Sequence, residues 1–406
     1  MRAAGVIIHR WTGLLTAAFL FVSGLTGAII SWDHELDEWL NAELFEVHAG
    51  GPPLPYLELA ARIQAADPRA RVSNIPLQTE PGHSLLFGVQ PRVNPDTGTL
   101  YKLGYNQVFI DPATGREIGR RDWGAVALDR EHLLAFLYKL HYTMHIPDFA
   151  GINRWGLWFM GGIALIWLLD CFVALTISFP DRNRWTRSFA IRHGSRYQFN
   201  FDLHRAGGLW TWTILLILAL SAVYLNLNRE LFCPAVAAVT TVTPSPFDLR
   251  PQRPLNQPLE PRGDYAAIIA QAVEAAQRKG WQEPVGSASY NARFGIYQVR
   301  FFHPGQDHGS GGFGVRRLYY DGVTGDYLGE HIPGSGTAGD IFLQLQFPLH
   351  SGRIAGIPGR IFISFMGLVV AALSVTGVVI WAKRRGSVTA INAALSKPTA
   401  GTVAHR

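Results

Sequence analysis

Four stretches almost free of charge dominate this 406-residue chain: Thr12–Trp32, Gly156–Ser178, Ala206–Leu225 and Ile361–Trp381. Each has 20 to 23 residues, the length an α-helix needs to cross the hydrocarbon of a bilayer. Backbone polar groups in lipid must be satisfied within their own segment, so such stretches are confined to helix. Whole-chain averages hide this segregation, because 48% hydrophobic and 16% charged residues also suit a soluble protein. With that much apolar material, disorder is excluded. The sequence therefore predicts an α-helical integral membrane protein with four transmembrane helices and substantial water-facing parts.

Lys and Arg in the short flanks set the orientation. Arg2 and Arg10 precede the first span; Arg182, Arg184, Arg187, Arg192, Arg196 and Arg205 lie between the second and third; Lys383, Arg384 and Arg385 follow the fourth. With four spans, all three clusters fall on one side. Both termini are then cytoplasmic, and 33–152 and 226–356 lie outside. The net charge of +6 thus belongs to a membrane rim, and nucleic-acid binding is not needed to explain it. A cleaved signal peptide is the alternative for the first span, but its apolar run is too long and lacks a small-residue cleavage motif before Asp33. The predicted division is 1–32 first span, 33–140 first external module, 141–179 second span, 180–204 basic loop, 205–228 third span, 229–349 second external module, 350–385 fourth span and 386–406 tail.

The external part is duplicated. Phe109–Gly119 (FIDPATGREIG) parallels Tyr319–Gly329 (YYDGVTGDYLG), each reading as strand, D-x-x-T-G turn and short strand. Upstream lie the helix candidates Leu57–Ala66 and Tyr265–Lys279 and the strand candidates Ser84–Gln90 and Gly295–Phe302. Two small α+β modules of similar plan are expected.

One histidine pair nearly keeps the 210-residue offset of the hairpins, His350 following His141 by 209. Leu140-His141 precedes the second span and Leu349-His350 the fourth, while His9-Arg10 opens the first span and His204-Arg205 the third. Alternating spans sort them into two layers, His9 with His204 at the cytoplasmic boundary and His141 with His350 at the external one. A single boundary histidine can simply cap a helix or meet a headgroup. Four in equivalent places point to bis-histidine ligation of two b-type haems, one near each surface, a route for electrons across the bilayer.

Arg10 and Arg205 follow their histidines and could pair with haem propionates; Arg154 and Arg353 could serve the outer haem, although each also suits an ordinary interface anchor. His145 lies one helical turn after His141, and the spacing leaves open which of the two is the iron ligand. Zinc held by His141, His145 and His350 is the competing metal, but it leaves His9 and His204 unexplained. His34, His193, His303, His308 and His331 are weaker candidates. Asp170, deep in the second span, is expected to make a helix-to-helix hydrogen bond. Cys171 and Cys233 are too few for an iron–sulfur cluster, and without a C-x-x-C-H any haem is non-covalent.

These motifs, together with Phe201–Gly207 (FDLHRAG) and Leu349–Gly352 (LHSG), resemble the PepSY-associated transmembrane family of iron-regulated membrane proteins, over nearly the whole chain. The group includes bacterial inner-membrane siderophore reductases. The resemblance implies PepSY-like periplasmic modules, b-type haem in the bundle, and reduction of ferric siderophore iron on the periplasmic side. A cytoplasmic reductase or membrane quinol would donate the electrons, since no G-x-G-x-x-G in a strand–turn–helix context offers a built-in nicotinamide or flavin site. Three rivals remain open. One is a non-enzymatic envelope protein whose modules bind or regulate a partner. Another is a siderophore or iron transporter, for which four spans are few. The third is a haem oxidoreductase for another periplasmic acceptor.

Overall fold

The computed structural model describes residues 2–48, 50–148, 154–179, 182–192 and 194–395, leaving aside the side chains of Arg182, Arg184 and residues 386–395. His193 lies outside the described residues. Along the chain run α1 (Arg2–Ile30), α2 (Asp33–Leu40), α3 (Ala42–Phe45), α4 (Tyr56–Ala66), β1 (Ala70–Pro76), β2 (Leu85–Pro91), β3 (Gln107–Ile110) and β4 (Glu117–Arg121). They are followed by α5 (Leu133–Thr143), α6 (Trp155–Ser178), α7 (Arg196–Leu227), α8 (Cys233–Ala237) and α9 (Tyr265–Arg278). The last elements are β5 (Val285–Asn291), β6 (Ile296–Phe301), β7 (Arg316–Asp321), β8 (Tyr327–His331), α10 (Ala338–Ser351) and α11 (Gly356–Leu395). Among the described residues four helical runs are long and apolar enough to cross a membrane: Arg2–Ile30, Trp155–Ser178, Arg196–Ala237 and Arg353–Arg385. The last three contain their uncharged windows whole, and the first run holds its window as far as Ile30.

The chain divides into two compact units. The first comprises Met1–Ala28, Gly161–Val223 and Ser364–Arg406, and its described elements are helices. Small residues govern its packing, as expected where lipid removes the hydrophobic drive between helices. A methyl group added to Gly24 of α1 would sit 2.5 Å from the Gly367 carbonyl oxygen of α11 and 3.1 Å from the Ala371 nitrogen. Near this contact the Ser364 hydroxyl donates to the Ala28 carbonyl at 3.0 Å. The Trp212 indole donates to the Cys171 carbonyl at 2.9 Å, tying α7 to α6.

The second unit, Ile29–Met160 with Tyr224–Ile363, is built on one antiparallel sheet of eight strands in the order β4-β3-β2-β1-β5-β6-β7-β8. The predicted helices and hairpins are all present, each within a few residues. In both hairpins the Asp of D-x-x-T-G folds the turn. Asp111 Oδ1 accepts from the Ala113 and Thr114 amides, and Asp321 Oδ1 from those of Val323 and Thr324. The two repeats nevertheless share a sheet: β1 pairs with β5, with Ile75 opposite Ala288. Left unpaired, those inner strands would expose two rows of backbone donors and acceptors.

On one face of the sheet α4 buries Leu59 and Ile63 against Val72, Leu85, Phe87 and Val108, while α9 buries Ile268, Ala272 and Ala276 against Tyr297, Val299 and Leu318. On the other face Phe45 packs edge-on against Phe109, and Phe247 against Tyr319. Phe109 and Tyr319 occupy the same place in the repeat. The strand period of two explains the division, since alternate residues enter opposite cores.

Two helices depart from the expected plan. His141 lies in the last turn of α5 and His350 in that of α10, both separate from the long spans that follow. The predicted boundaries at 140/141 and 349/350 therefore fall inside helices. α5 ends where Met144 and then His145 take left-handed backbone at φ of 52° and 51°. α10 starts on a capping box between Thr337 and Asp340 and ends at Gly352.

Candidate functional site

The structure brings the histidines together in two pairs. In the helical unit the rings of His9 (α1) and His204 (α7) have centroids 6.1 Å apart at an interplanar angle of 51°. In the sheet-bearing unit those of His141 (α5) and His350 (α10) are 6.3 Å apart at 67°. Bonds of about 2 Å to one metal from opposite sides would place two imidazole centroids about 6 Å apart. Both pairs therefore have the spacing that two imidazoles holding one metal ion between them would need.

The first pair is also oriented. His9 Nδ1 lies 2.8 Å from Asp170 Oδ2, and Thr12 donates its hydroxyl to Asp170 Oδ1 at 2.8 Å. A carboxylate only accepts, so Nδ1 carries the proton and Nε2 keeps its lone pair. His204 Nδ1 lies 2.9 Å from the Thr376 hydroxyl, which itself donates to the Ala372 carbonyl at 2.8 Å and so accepts from the imidazole. Each ring thus carries its proton on Nδ1 and its lone pair on Nε2, the atom that could bind a metal. One turn beyond each histidine, Gly13 and Gly208 face space with nothing within 4 Å of an added methyl group. Asp170 was visible in the sequence as a lone acid in an apolar span. Its partner was not, because the hydrogen bond joins residues 161 apart.

At the second pair the structure separates the two candidates on α5. His141 faces His350, whereas the His145 ring stacks on Phe136 with centroids 4.4 Å apart and its Nε2 donates to the Phe136 carbonyl at 2.9 Å. Among the described residues there is no group of three or more His, Cys, Asp and Glu side chains able to hold a metal ion. The three-ligand zinc arrangement is accordingly not assembled.

The arginines divide by surroundings. Arg10, Arg205 and Arg154 each bury an Nε that has no hydrogen-bond partner. Arg205 reaches Asp202 at 2.9 Å, Arg154 pairs with Glu230 at 2.9 Å, and Arg353 lies 3.9 Å from Asp33. Sequence reasoning missed Arg360 as an anchor. It grips Glu35 through two nitrogens at 2.6 and 2.7 Å and donates to the Ser31 carbonyl. Those hydrogen bonds hold the Glu35 carboxyl down at about 2. Burial pushes Asp33 the other way, above its usual range, against the pull of Arg353 and His308. Of the remaining histidines, His34 is 3.2 Å from Glu38, and His308 is 2.7 Å from Asp307.

Four membrane-length helices joined to a folded sheet define a multi-span membrane protein. Residues 6–384 match the family described as the PepSY-associated TM region, and the chain belongs to that family. No curated protein matches it.

Proposed function

We propose that the chain is an inner-membrane b-type haem protein that passes electrons across the bilayer to ferric siderophore iron on the periplasmic side. The observation that carries this reading is the pair of facing histidines repeated in both units, at 6.1 and 6.3 Å. His9 with His204 would hold one haem and His141 with His350 the other. Bis-histidine haem, when bound, supplies reversible one-electron transfer without an open coordination site.

The side chains around the inner pair fit that use. Asp170 and Thr376 fix the inner imidazoles by their Nδ1 atoms, and Gly13 and Gly208 leave room for a flat group beside them. By their places in the sequence, Arg10 and Arg205 would serve the propionates of the inner haem, and Arg154 and Arg353 those of the outer. The sheet-bearing unit would receive the ferric complex outside, and the basic rim would keep both termini in the cytoplasm. A soluble reductase or a quinol would reduce the inner site.

The test mixes chemically reduced, full-length protein in detergent with a ferric siderophore and a ferrous-specific chelator. The reading expects stoichiometric ferrous capture with reoxidation of the protein. Reduced protein that keeps its electrons under these conditions would remove the substrate and leave another periplasmic acceptor as the alternative.

A further inference from the structure

The duplicated sheet contains its own control. Register places Gly88, Gln107 and Arg121 side by side across β2, β3 and β4 of the first repeat. The corresponding row across β6, β7 and β8 of the second is Arg300, Arg317 and His331. In the first row the single arginine is neutralised, since Arg121 is 2.8 Å from Asp37 and donates to Gln107 at 2.9 Å. The second row sets two guanidinium groups directly opposite each other, an arrangement that costs stability in a sheet. Among the described residues neither has a carboxylate oxygen within 4.0 Å.

These groups lie on the sheet face turned away from α9, together with Tyr319. Arg300 and Arg317 each bury an unpartnered Nε. Arg300 spends one Nη2 hydrogen bond on the Asp307 carbonyl at 2.7 Å. Burial, followed by the charge of Arg317, depresses both Arg300 and His331 below their ordinary values. By contrast Arg316, on the opposite face of the same strand, has its carboxylate in Glu283 at 3.1 Å.

The row is linked to the outer histidine pair by one glycine-rich loop. A methyl group on Gly314 would lie 3.1 Å from Arg317 Nη2. Gly312, at φ of 77°, packs so closely on the turn after α10 that a Cβ would sit 2.7 Å from the Arg353 Cβ. His308 stacks on Phe347 at 15° with centroids 6.5 Å apart, one turn before His350.

We propose that Arg300, Arg317 and His331 form an anion-binding subsite, and that the ferric chelate this chain takes is anionic, of carboxylate or catecholate type. Fork-shaped guanidinium groups suit carboxylate-like oxygens, and a bound anion would relieve the repulsion built into the row. The substrate class rests on the reductase reading above; the anion site itself does not.

The test is calorimetric binding to full-length protein in detergent, using redox-inert gallium(III) complexes. Gallium citrate is the anionic probe, and gallium tris(acetohydroxamate) the neutral one. We expect the citrate complex to bind at least about tenfold more tightly, and Arg317→Gln or Arg300→Gln to weaken it about tenfold or more, as loss of a charged hydrogen bond does. Neutral-complex binding and haem content should not change. Arg317→Lys, which keeps the charge without the fork, should fall between, and it carries the test if the glutamine variant does not fold. Equal affinity for the two complexes, or variants that bind citrate like the parent, would overturn the subsite. So would haem loss in Arg317→Gln with citrate binding intact, since the row would then serve the cofactor's own carboxylates. Protein that binds gallium citrate through this row but carries no haem would overturn the reductase reading and leave the anion site standing.

Discussion

His9 and Asp170, 161 residues apart in the chain, are joined by a 2.8 Å hydrogen bond from Nδ1 to Oδ2. The other imidazole of that pair, His204, leans on a neutral hydroxyl, that of Thr376. The two ligand candidates therefore differ in the charge behind them. A carboxylate acceptor makes an imidazole a stronger donor to a metal and favours the more oxidised, more positive state.

Asp170→Asn should keep the haem while raising the inner midpoint potential, on the order of 60 mV for a tenfold change in a one-electron equilibrium. Asp170→Glu should restore much of the original value. Spectroelectrochemical titration reads this directly. An unchanged potential in the asparagine variant would show that Asp170 serves packing alone.

The approach of α1 to α11 predicts a steric limit. Gly24→Ala places a methyl group 2.5 Å from a backbone oxygen, which cannot swing aside as a side-chain tip can. Overpacking of this kind costs about 1–3 kcal/mol. A lower melting temperature of the purified protein is expected, while Gly162→Ala in α6, where an added methyl meets nothing within 4 Å, should leave it nearly unchanged. Equal melting of the two variants would contradict the packing.

Glu35 supplies a pH dependence. Arg360 depresses its carboxyl from 4.5 to about 2, so the pair contributes stability above pH 4.5 and loses it as pH falls toward 2. The Glu35 side chain is half exposed, and screening limits the effect to about 1 kcal/mol. The melting difference between the parent and Glu35→Gln should be largest near neutrality and shrink on acidification. A difference that grew as pH fell would have the wrong sign.

Much of this was legible in the sequence because it is written locally. Four uncharged windows give four long helices, and alternation with D-x-x-T-G turns gives the hairpins. The pairing of β1 with β5 was not, since neither strand announces its neighbour. The separate helices carrying His141 and His350 were also hidden: the apolar pattern of α5 leads toward the span beyond it, and only the left-handed residues Met144 and His145 break the run. At the candidate site the spacing of the motif suggested the histidine pairs but could not choose between His141 and His145. The choice depends on where a ring points after a helix has ended. Asp170 behind His9, Thr376 behind His204 and Glu35 against Arg360 are meetings of distant elements, which no local pattern encodes.

The proposed function stands on two histidine pairs that would each hold one b-type haem. Its most direct test is the pyridine haemochrome count, with reduced-minus-oxidised spectra, of the haem-supplied parent and of single histidine variants. About two haems per chain are expected in the parent. His9→Ala and His204→Ala should each lose the same spectral component, His141→Ala and His350→Ala the other, and His145→Ala neither. A fully loaded preparation without haem, or loss of one shared component in all four pair variants, would contradict it.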